Sequence, residues 1–280
     1  MISRTETDET MPRTGSMIAK PGAAGRHLAI TRNTMKQLLF TFASVAALAL
    51  GHATAAEPPA PRGASVAKPA TVVAFGDSIT RGYGVPVGSG WVERLSGLLE
   101  KKHGKNAFAV FNAGGDGNTS AEGLERIQAD VLAHPPGLVL VEFGGNDSKL
   151  GPRNVSVDDF ERNLLTITER IRQQGGEVAF LTFPPIINEW HRLGRDPGYD
   201  KWGGMDQCIE QYRQRTRAVA GRLGSRLFDL DQFLRKFIAE NGRERCLLKD
   251  GVHLTADANT AVADAMLKFI GEPAGQNVRK

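Results

Sequence analysis

Cysteine is almost absent from the sequence, which has 2 cysteines among 280 residues. Cys208 and Cys246 form neither a CxxC pair nor a cluster with histidine, the spacings that zinc sites use. The sequence therefore predicts no metal site. It leaves open whether the two residues form a disulfide or stay free and buried, where cysteine behaves as a small apolar side chain.

An excess of charge of one sign is also lacking. The chain has 35 Lys and Arg against 31 Asp and Glu, a formal net charge of +4. The first 56 residues hold six of the basic and three of the acidic residues, so 29 and 28 remain beyond them. No basic stripe is present, which argues against a nucleic-acid partner. The glycine-rich stretch 114–117 has neither the Gly-Lys-Ser/Thr ending of a P-loop nor GxGxxG spacing, which argues against a phosphate cradle.

The main apolar run is short. It covers residues 38–50, fewer than the roughly 20 that a membrane-spanning helix needs. Lys36 precedes the run and Ala-Thr-Ala follows at 53–55, as in a cleaved signal peptide. We therefore predict a signal peptide over 35–56 and an exported protein, periplasmic or secreted; the alternative is a buried helix of a cytoplasmic domain. No cysteine lies at the cleavage site, so a stable membrane anchor is not expected.

The remaining segments differ in composition. Residues 1–34 are polar and unpatterned, which indicates a disordered extension or a true start at Met35. Residues 57–70 are rich in Pro and Ala and are interpreted as a linker. One folded domain is predicted over 71–272, followed by a tail at 273–280.

An exported protein folds in an oxidising compartment, so export would permit a disulfide between Cys208 and Cys246.

Short apolar runs alternate with helical periodicity in this domain. Residues 138–141 are apolar on both faces, as in a parallel strand that is covered on two sides. Alternating strands and helices predict an α/β fold, a three-layer α/β/α sandwich with a flavodoxin-like five-stranded parallel sheet. We expect strands at 71–75, 108–112, 137–143, 178–183 and 226–230, and helices at 91–102, 121–133, 157–173, 206–223 and 257–270.

The loops after the predicted strands carry reactive side chains, and ligands of such sheets bind beyond the carboxyl ends of the strands. Ser78 follows the first strand, and Asp250 and His253 lie three residues apart before the last helix. A serine hydroxyl needs a base, usually a histidine that a carboxylate orients. The spacing lets Asp250 reach Nδ1 of His253 while Nε2 faces Ser78. The alternative for Ser78 is a helix cap, a common role at such junctions.

An oxyanion that forms during such a reaction needs fixed hydrogen-bond donors. The N–H groups of Gly117 and Ser78 and the side-chain amide of Asn146 are the candidates, since all three lie at predicted strand ends. Three further polar residues of the same loops, Asp77, Asn118 and Asp147, are expected to order the backbone.

Four blocks at these positions resemble the SGNH (GDSL) hydrolase family. They are F-G-D-S-I-T at 75–80, N-A-G-G-D-G-N-T-S at 112–120, F-G-G-N-D at 143–147 and D-G-V-H at 250–253. The resemblance spans 71–270 and is nearest to the arylesterase and thioesterase–lysophospholipase branch. It implies the SGNH hydrolase fold, the nucleophile Ser78, the base His253 oriented by Asp250, and oxyanion donors at Ser78, Gly117 and Asn146. It also implies an acyl-enzyme intermediate and no cofactor.

The long loop 184–204 departs from the family pattern and leaves the substrate open. Trp190 and Trp202 lie in it, and together with Ile79 they are candidates for substrate contact. His191 is the other histidine expected near the site. The substrate is expected to be a small-molecule, lipid or polysaccharide ester.

Two alternatives to this function remain from the sequence. A carbohydrate O-acetylesterase would use the same four blocks. A non-catalytic binding module on the same fold is expected to have lost Ser78, His253 or Asn146, all of which are present.

The arginines of the 206–223 helix are interpreted as a solvated face; they are Arg213, Arg215, Arg217 and Arg222.

Overall fold

The described part of the chain, residues 70–135 and 137–271 of a computed structural model, is built on a parallel sheet. The strands are β1 (Ala70–Gly76), β2 (Phe108–Gly114), β3 (Leu138–Glu142), β4 (Glu177–Leu181) and β5 (Arg226–Phe228). The helices are α1 (Ser78–Arg81), α2 (Trp91–His103), α3 (Ser120–Ile127), α4 (Val157–Gln173), α5 (Met205–Leu223), α6 (Leu230–Asn241), α7 (Arg243–Cys246) and α8 (Ala256–Gly271). A π-helical turn, Gln128–Leu132, extends α3, and a 3₁₀ helix covers Pro197–Trp202.

The strand order is β2-β1-β3-β4-β5, and every pairing is parallel. Gly76 of β1 pairs with Gly114 of β2 and with Glu142 of β3, so three strands end side by side. The predicted five-stranded parallel sheet is confirmed. Because the loops after β1, β2 and β3 start from the same edge, their polar side chains are brought together there.

Helices cover both faces of the sheet. Val72 and Ala74 of β1 face one apolar cluster, which includes side chains of α2 and α8. The alternate residues Val73 and Phe75 face a second cluster, to which α4 contributes the periodic positions seen in the sequence. Successive strand residues point to opposite faces, so buried residues in both registers require a layer on each side. The three-layer α/β/α prediction is confirmed.

Helix α4 begins and ends at the predicted residues. Ser156 caps its start by accepting a hydrogen bond from the Asp159 N–H. The fifth strand is shorter than predicted. Asp229 accepts a hydrogen bond from the Gln232 N–H and thereby starts α6 at Leu230, so the apolar residues after β5 belong to a helix. Helices α6 and α7 were not predicted from the sequence, and of α1 only its start at Ser78 was expected.

The sequence left open whether Cys208 and Cys246 form a disulfide. Both are free and buried, and each fills space in the apolar cluster beside α2 and α8. The expectation for Arg213 needs correction. Arg213 does not belong to a solvated face, because its side chain is completely buried and hydrogen bonded to backbone carbonyls and Asp206. Helical periodicity alone does not distinguish a buried, ion-paired arginine from an exposed one.

The predictions for 1–34, 35–56 and 273–280 lie outside the described residues. So does the predicted linker, 57–70, except Ala70, which is the first residue of β1. Among the helices of residues 70–135 and 137–271, none combines the length and the apolar character that crossing a bilayer requires.

Candidate active site

Ser78 is placed by the junction between β1 and α1. Asp77 caps the short helix, because its Oδ1 accepts a hydrogen bond of 2.9 Å from the Ile79 N–H. Ser78 is the first residue of α1 and lines a cavity at the carboxyl edge of the sheet. The helix-cap role that the sequence left open for Ser78 therefore belongs to its neighbour, and the Ser78 hydroxyl faces the cavity.

The turn before α8 brings a histidine and a carboxylate to this hydroxyl. Nε2 of His253 lies 2.9 Å from Oγ of Ser78, and Nδ1 of His253 lies 2.7 Å from Oδ2 of Asp250. The other carboxylate oxygen of Asp250 accepts from the N–H groups of Val252 and His253, both at 3.0 Å. Burial opposes the charge of Asp250, but the bonds from the His253 ring and these N–H groups hold the pKa of its carboxyl below the ordinary value.

Two neighbours support this turn. The Gly251 carbonyl accepts a hydrogen bond of 2.9 Å from the Ile187 N–H, which ties the turn to the loop after β4. The ring of Tyr83 packs on the His253 ring, with 4.4 Å between the ring centroids. The turn is thus tied to the loop after β4, the imidazole packs against Tyr83, and the His253 side chain is 16% exposed.

Two backbone donors point to a possible oxyanion site. The N–H groups of Ser78 and Gly117 have no hydrogen-bond acceptor within the described ranges, and both residues line the cavity. Gly117 has φ of 68°, and a Cβ atom there would meet open space. Glycine is required at this position by the left-handed backbone and not by a close neighbour.

The side-chain amide of Asn146 is firmly held. Its Nδ2 donates to Oδ2 of Asp77 at 2.8 Å and to the carbonyl of Asn118 at 3.1 Å. Lys149 donates from Nζ to the amide oxygen. Burial lowers the pKa of this lysine, although the charge of Asp77 works in the opposite direction. The amide nitrogen thus faces an acid, and the amide oxygen faces a cation.

Asp147 orders the loop that carries Asn146. Its Oδ1 accepts from the N–H of Ser120 at 2.9 Å and from the Ser120 hydroxyl at 2.5 Å, and its Oδ2 accepts from the Gly144 N–H at 3.2 Å. Burial raises the pKa of Asp147 to about 6 despite these donors. The contacts connect the loop after β3 to the start of α3.

The cavity has a volume of about 340 Å³ and a mixed lining. Of the residues proposed from the sequence for substrate contact, Trp190 lines it, and Ile79 and Trp202 do not. Ile79 is buried in the apolar core, and Trp202 packs beside Lys201, whose Nζ lies 3.9 Å from the ring centroid. His191 also lines the cavity, and burial followed by nearby cations lowers the pKa of its ring.

Several lining residues were missed from the sequence. Phe183, Ile186 and Arg192 come from the loop after β4, Met205 and Ile209 come from the start of α5, and the rest come from other loops. They are Phe183, Ile186, Met205, Ile209, Tyr83, Val252, Asp116, Lys149 and Arg192. Position after a strand end was a usable signal for Phe183 and Ile186. Nothing in the sequence pattern marks Met205 and Ile209, which reach the cavity through the packing of α5.

A hydroxyl, an imidazole and a carboxylate in one chain of hydrogen bonds, beside free backbone donors at a parallel-sheet edge, define an ester-hydrolase type of site. Residues 74–261 match the model of the GDSL-like Lipase/Acylhydrolase family. The chain belongs to this family.

This chain resembles individual proteins that are also named as esterases or thioesterases. It is 34% identical over 113 residues to esterase TesA of Pseudomonas aeruginosa, an alignment that spans 40% of this chain and about half, 53%, of that relative. It is 27% identical to thioesterase 1/protease 1/lysophospholipase L1 of Escherichia coli over 71% of this chain and 82% of the relative. The solved structure of the acetyl xylan esterase AlAXEase aligns with a TM-score of 0.60 and 27% identity, covering 71% of this chain and 99% of that one.

Proposed function

We propose that the chain is an exported serine ester hydrolase that works through an acyl-enzyme on Ser78. The observation that carries the proposal is the pair of hydrogen bonds of His253, 2.9 Å to the Ser78 hydroxyl and 2.7 Å to Asp250. These distances lie in the range that proton transfer between a nucleophile and a base requires.

In this reaction the neutral ring of His253 accepts the Ser78 proton at Nε2 while Oγ attacks the acyl carbonyl. Asp250 accepts from Nδ1, which fixes the tautomer and stabilises the imidazolium. The imidazolium then protonates the leaving group, and the acyl group stays on Ser78. A water molecule, deprotonated by His253 in its turn, releases the acid and restores the serine.

The negative charge on the carbonyl oxygen is assigned to three donors, the N–H groups of Ser78 and Gly117 and the amide of Asn146. Neither of the two N–H groups has an acceptor among residues 70–135 and 137–271, so both can donate. For Asn146, the longer hydrogen bond, 3.1 Å to the Asn118 carbonyl, is the one that an oxyanion would share or replace.

The substrate proposed is a carboxylic ester of the arylesterase, lysophospholipase or thioesterase type. Apolar side chains such as Phe183, Ile186 and Ile209 supply one part of the cavity lining, and Lys149 and Arg192 supply cations in another. An apolar acyl or aryl group fits the first part. The names of the esterase and thioesterase relatives support this choice.

The second candidate is a carbohydrate O-acetylesterase. It is favoured by the acetyl xylan esterase whose whole length aligns with this chain and by the indole of Trp190 in the cavity lining, since aromatic rings stack on sugars. A panel of simple esters of increasing acyl length, run beside acetylated sugars, separates the candidates. Turnover confined to acetyl groups would favour the O-acetylesterase.

Ser78→Ala tests the mechanism. We expect it to lower kcat by about 10⁶-fold and to abolish labelling by an active-serine phosphonate probe. Ser89→Ala, at a serine that does not line the cavity, is the matched control and should keep both. Phosphonate labelling of the same peptide in Ser78→Ala would overturn the assignment, and a wild type without ester turnover would favour the binding module.

Export is proposed from the sequence of 35–56. N-terminal sequencing of the protein collected outside the cytoplasm should begin near Glu57. A mature protein that retains residues 36–55 would contradict the signal peptide.

A further inference from the structure

A second acid lies behind the proposed oxyanion site. Glu142, the last residue of β3, is 1% exposed, and Asp77 is 0% exposed. Oε2 of Glu142 accepts from the Thr80 hydroxyl at 2.9 Å, and the Glu142 carboxyl lies close enough to Asp77 for the charge of Asp77 to raise its pKa. It fills the space beside Gly76, where a Cβ atom would lie 2.8 Å from Oε2 of Glu142. A side chain at position 76, two residues before Ser78, would therefore clash with Glu142.

Two carboxyl groups can hydrogen bond to one another only if one carries a proton. The buried Oε1 of Glu142 has no hydrogen-bond partner among the residues of the described ranges, so an ionised Glu142 would leave a charged oxygen without a donor. Two adjacent charges without water would also be strongly unfavourable. The pair therefore holds one proton at neutral pH.

The surrounding donors decide which acid holds it. Asp77 accepts from the Ile79 N–H and from Asn146, whereas Glu142 accepts from the Thr80 hydroxyl. Donors favour the charged form of an acid, so Asp77 is the anion and Glu142 is the neutral donor. Burial raises the pKa of both acids, and the charge of Asp77 adds to the shift at Glu142.

Other charged groups act on the pair through Asp77. The charge of Lys149 favours ionised Asp77, and the charge of Asp147 opposes it. Asp77 and Lys149 also hold the two ends of the Asn146 amide, the acid at the nitrogen and the cation at the oxygen. The orientation of this amide consequently depends on Asp77 remaining an acceptor.

We propose that Glu142 is a positioning residue of the ester-hydrolase site, which donates its proton to Asp77 and so keeps Asp77 as the anion that orients Asn146. This rests on the function proposed above. Glu142 touches no reacting atom; it acts through Asp77 on the donor that meets the oxyanion. Misplacement of such a donor affects turnover more than ground-state binding.

Glu142→Gln keeps the shape and an N–H donor, whereas Glu142→Leu removes the donor. We expect Glu142→Gln to stay within about threefold of wild-type kcat, and Glu142→Leu to lose about 10²-fold in kcat with little change in KM. Rescue by glutamine but not leucine is the result expected. A glutamine variant as impaired as the leucine variant, or a leucine variant with full kcat, would overturn the proposal.

Infrared spectroscopy at about pH 8 tests the proton directly and needs only the glutamine variant. The wild type should show the C=O stretch of a protonated carboxylic acid that disappears in Glu142→Gln. It should persist in Glu161→Gln, since the arginines beside Glu161 hold the pKa of that acid below its ordinary value. The same band is read in a Ser78→Ala background, so its presence does not depend on the proposed hydrolysis. A spectrum unchanged by Glu142→Gln would refute the shared proton even if Ser78 is the nucleophile.

Discussion

Arg213 and Asp206, both on α5, form a buried ion pair in which Nη2 lies 2.6 Å from Oδ1. The same guanidinium donates to the carbonyl oxygens of Phe183 at 3.0 Å and Pro184 at 2.7 Å, and Oδ1 of Asp206 accepts from the Ile186 N–H at 3.0 Å. Two of these residues, Phe183 and Ile186, line the cavity. The ion pair therefore holds the backbone that shapes the apolar part of the site.

Arg213→Met should destabilise the protein by about 3 kcal/mol or more, because Asp206 and Asp231 would lose a buried cation. Arg215→Met, two residues along the same helix, is the control. Arg215 is partly exposed and pairs with Glu161, so its loss should cost at most about 1 kcal/mol. Urea unfolding measures the loss of unfolding free energy in each of the two variants. Equal losses would show that burial of the Arg213 pair has no special importance.

Asn146→Ala should lower kcat by about 10²–10³-fold, since one of the three proposed oxyanion donors is lost. Asn154→Ala provides a matched control, because its amide donates to the Asp147 carbonyl at 2.8 Å and does not line the cavity. Steady-state kinetics on a chromogenic ester gives kcat and KM separately. An effect of Asn146→Ala on KM alone would assign the amide to substrate binding and not to the oxyanion.

The pH dependence of the unfolding free energy should reveal the raised pKa of Glu142. Burial and the charge of Asp77 raise its pKa well above the ordinary 4.5, so the folded chain keeps a proton that the unfolded chain releases. Stability from this group is therefore greatest at low pH and falls as the pH rises. Relative to Glu142→Gln, the unfolding free energy of the wild type should fall by up to about 1.4 kcal/mol per pH unit above about pH 4.5.

Unfolding by urea at several values between about pH 5 and about pH 7 measures this difference. Glu161→Gln should run parallel to the wild type over this range, because hydrogen bonds from Arg215 and Arg222 lower the pKa of Glu161 and its stabilisation is lost only below about pH 4.5. A wild type that runs parallel to Glu142→Gln over this range would contradict the raised pKa.

Both cysteines should be unreactive in the native protein and free in the unfolded one. Burial raises the pKa of Cys208 to about 11 and the pKa of Cys246 to about 12, so little thiolate is present at neutral pH. Maleimide should label neither residue in the folded protein and both in denaturant without a reductant. If labelling in denaturant required a reductant, the two cysteines would be joined by a disulfide and the assignment as free thiols would be wrong.

Trp190→Ala should widen the range of esters accepted. Trp190 lines both the cavity and a neighbouring groove formed by Leu247 and Leu248, so its removal would join the two spaces. We expect the ratio of kcat/KM for long over short acyl esters to rise by about tenfold. Trp202→Ala, at the tryptophan away from the cavity, should leave this ratio unchanged. Equal responses of the two variants would mean that the indole of Trp190 does not bound the acyl site.

The fold was predictable because its signals are local. Runs apolar on both faces, such as that of β3, require cover on two sides, and the spacing of Phe160 and Leu164 defines one helix face. The short helices α1 and α7 have four residues each, too few for any periodicity to mark them. The start of α6 was missed because the Asp229 cap follows directly on a strand.

The site was predictable only in part. Ser78, Asn146, Asp250 and His253 carry recognisable chemistry at strand ends, and the structure brings them together around one cavity. Ile79 was proposed for substrate contact, yet successive residues of a helix point in different directions and its side chain enters the core. Glu142, Lys149 and Arg213 were not foreseen, because their roles depend on contacts across distant elements that no spacing encodes.

The hydrogen bond from Ile187 to the Gly251 carbonyl has a consequence for engineering. The segment between β4 and α5, residues 182–204, both lines the cavity and supports the turn that carries His253. A graft of this segment from a relative would therefore change the cavity wall and the support of the proposed general base at the same time. Such a chimera needs an N–H donor at position 187, so new selectivity and retained turnover have to be selected together.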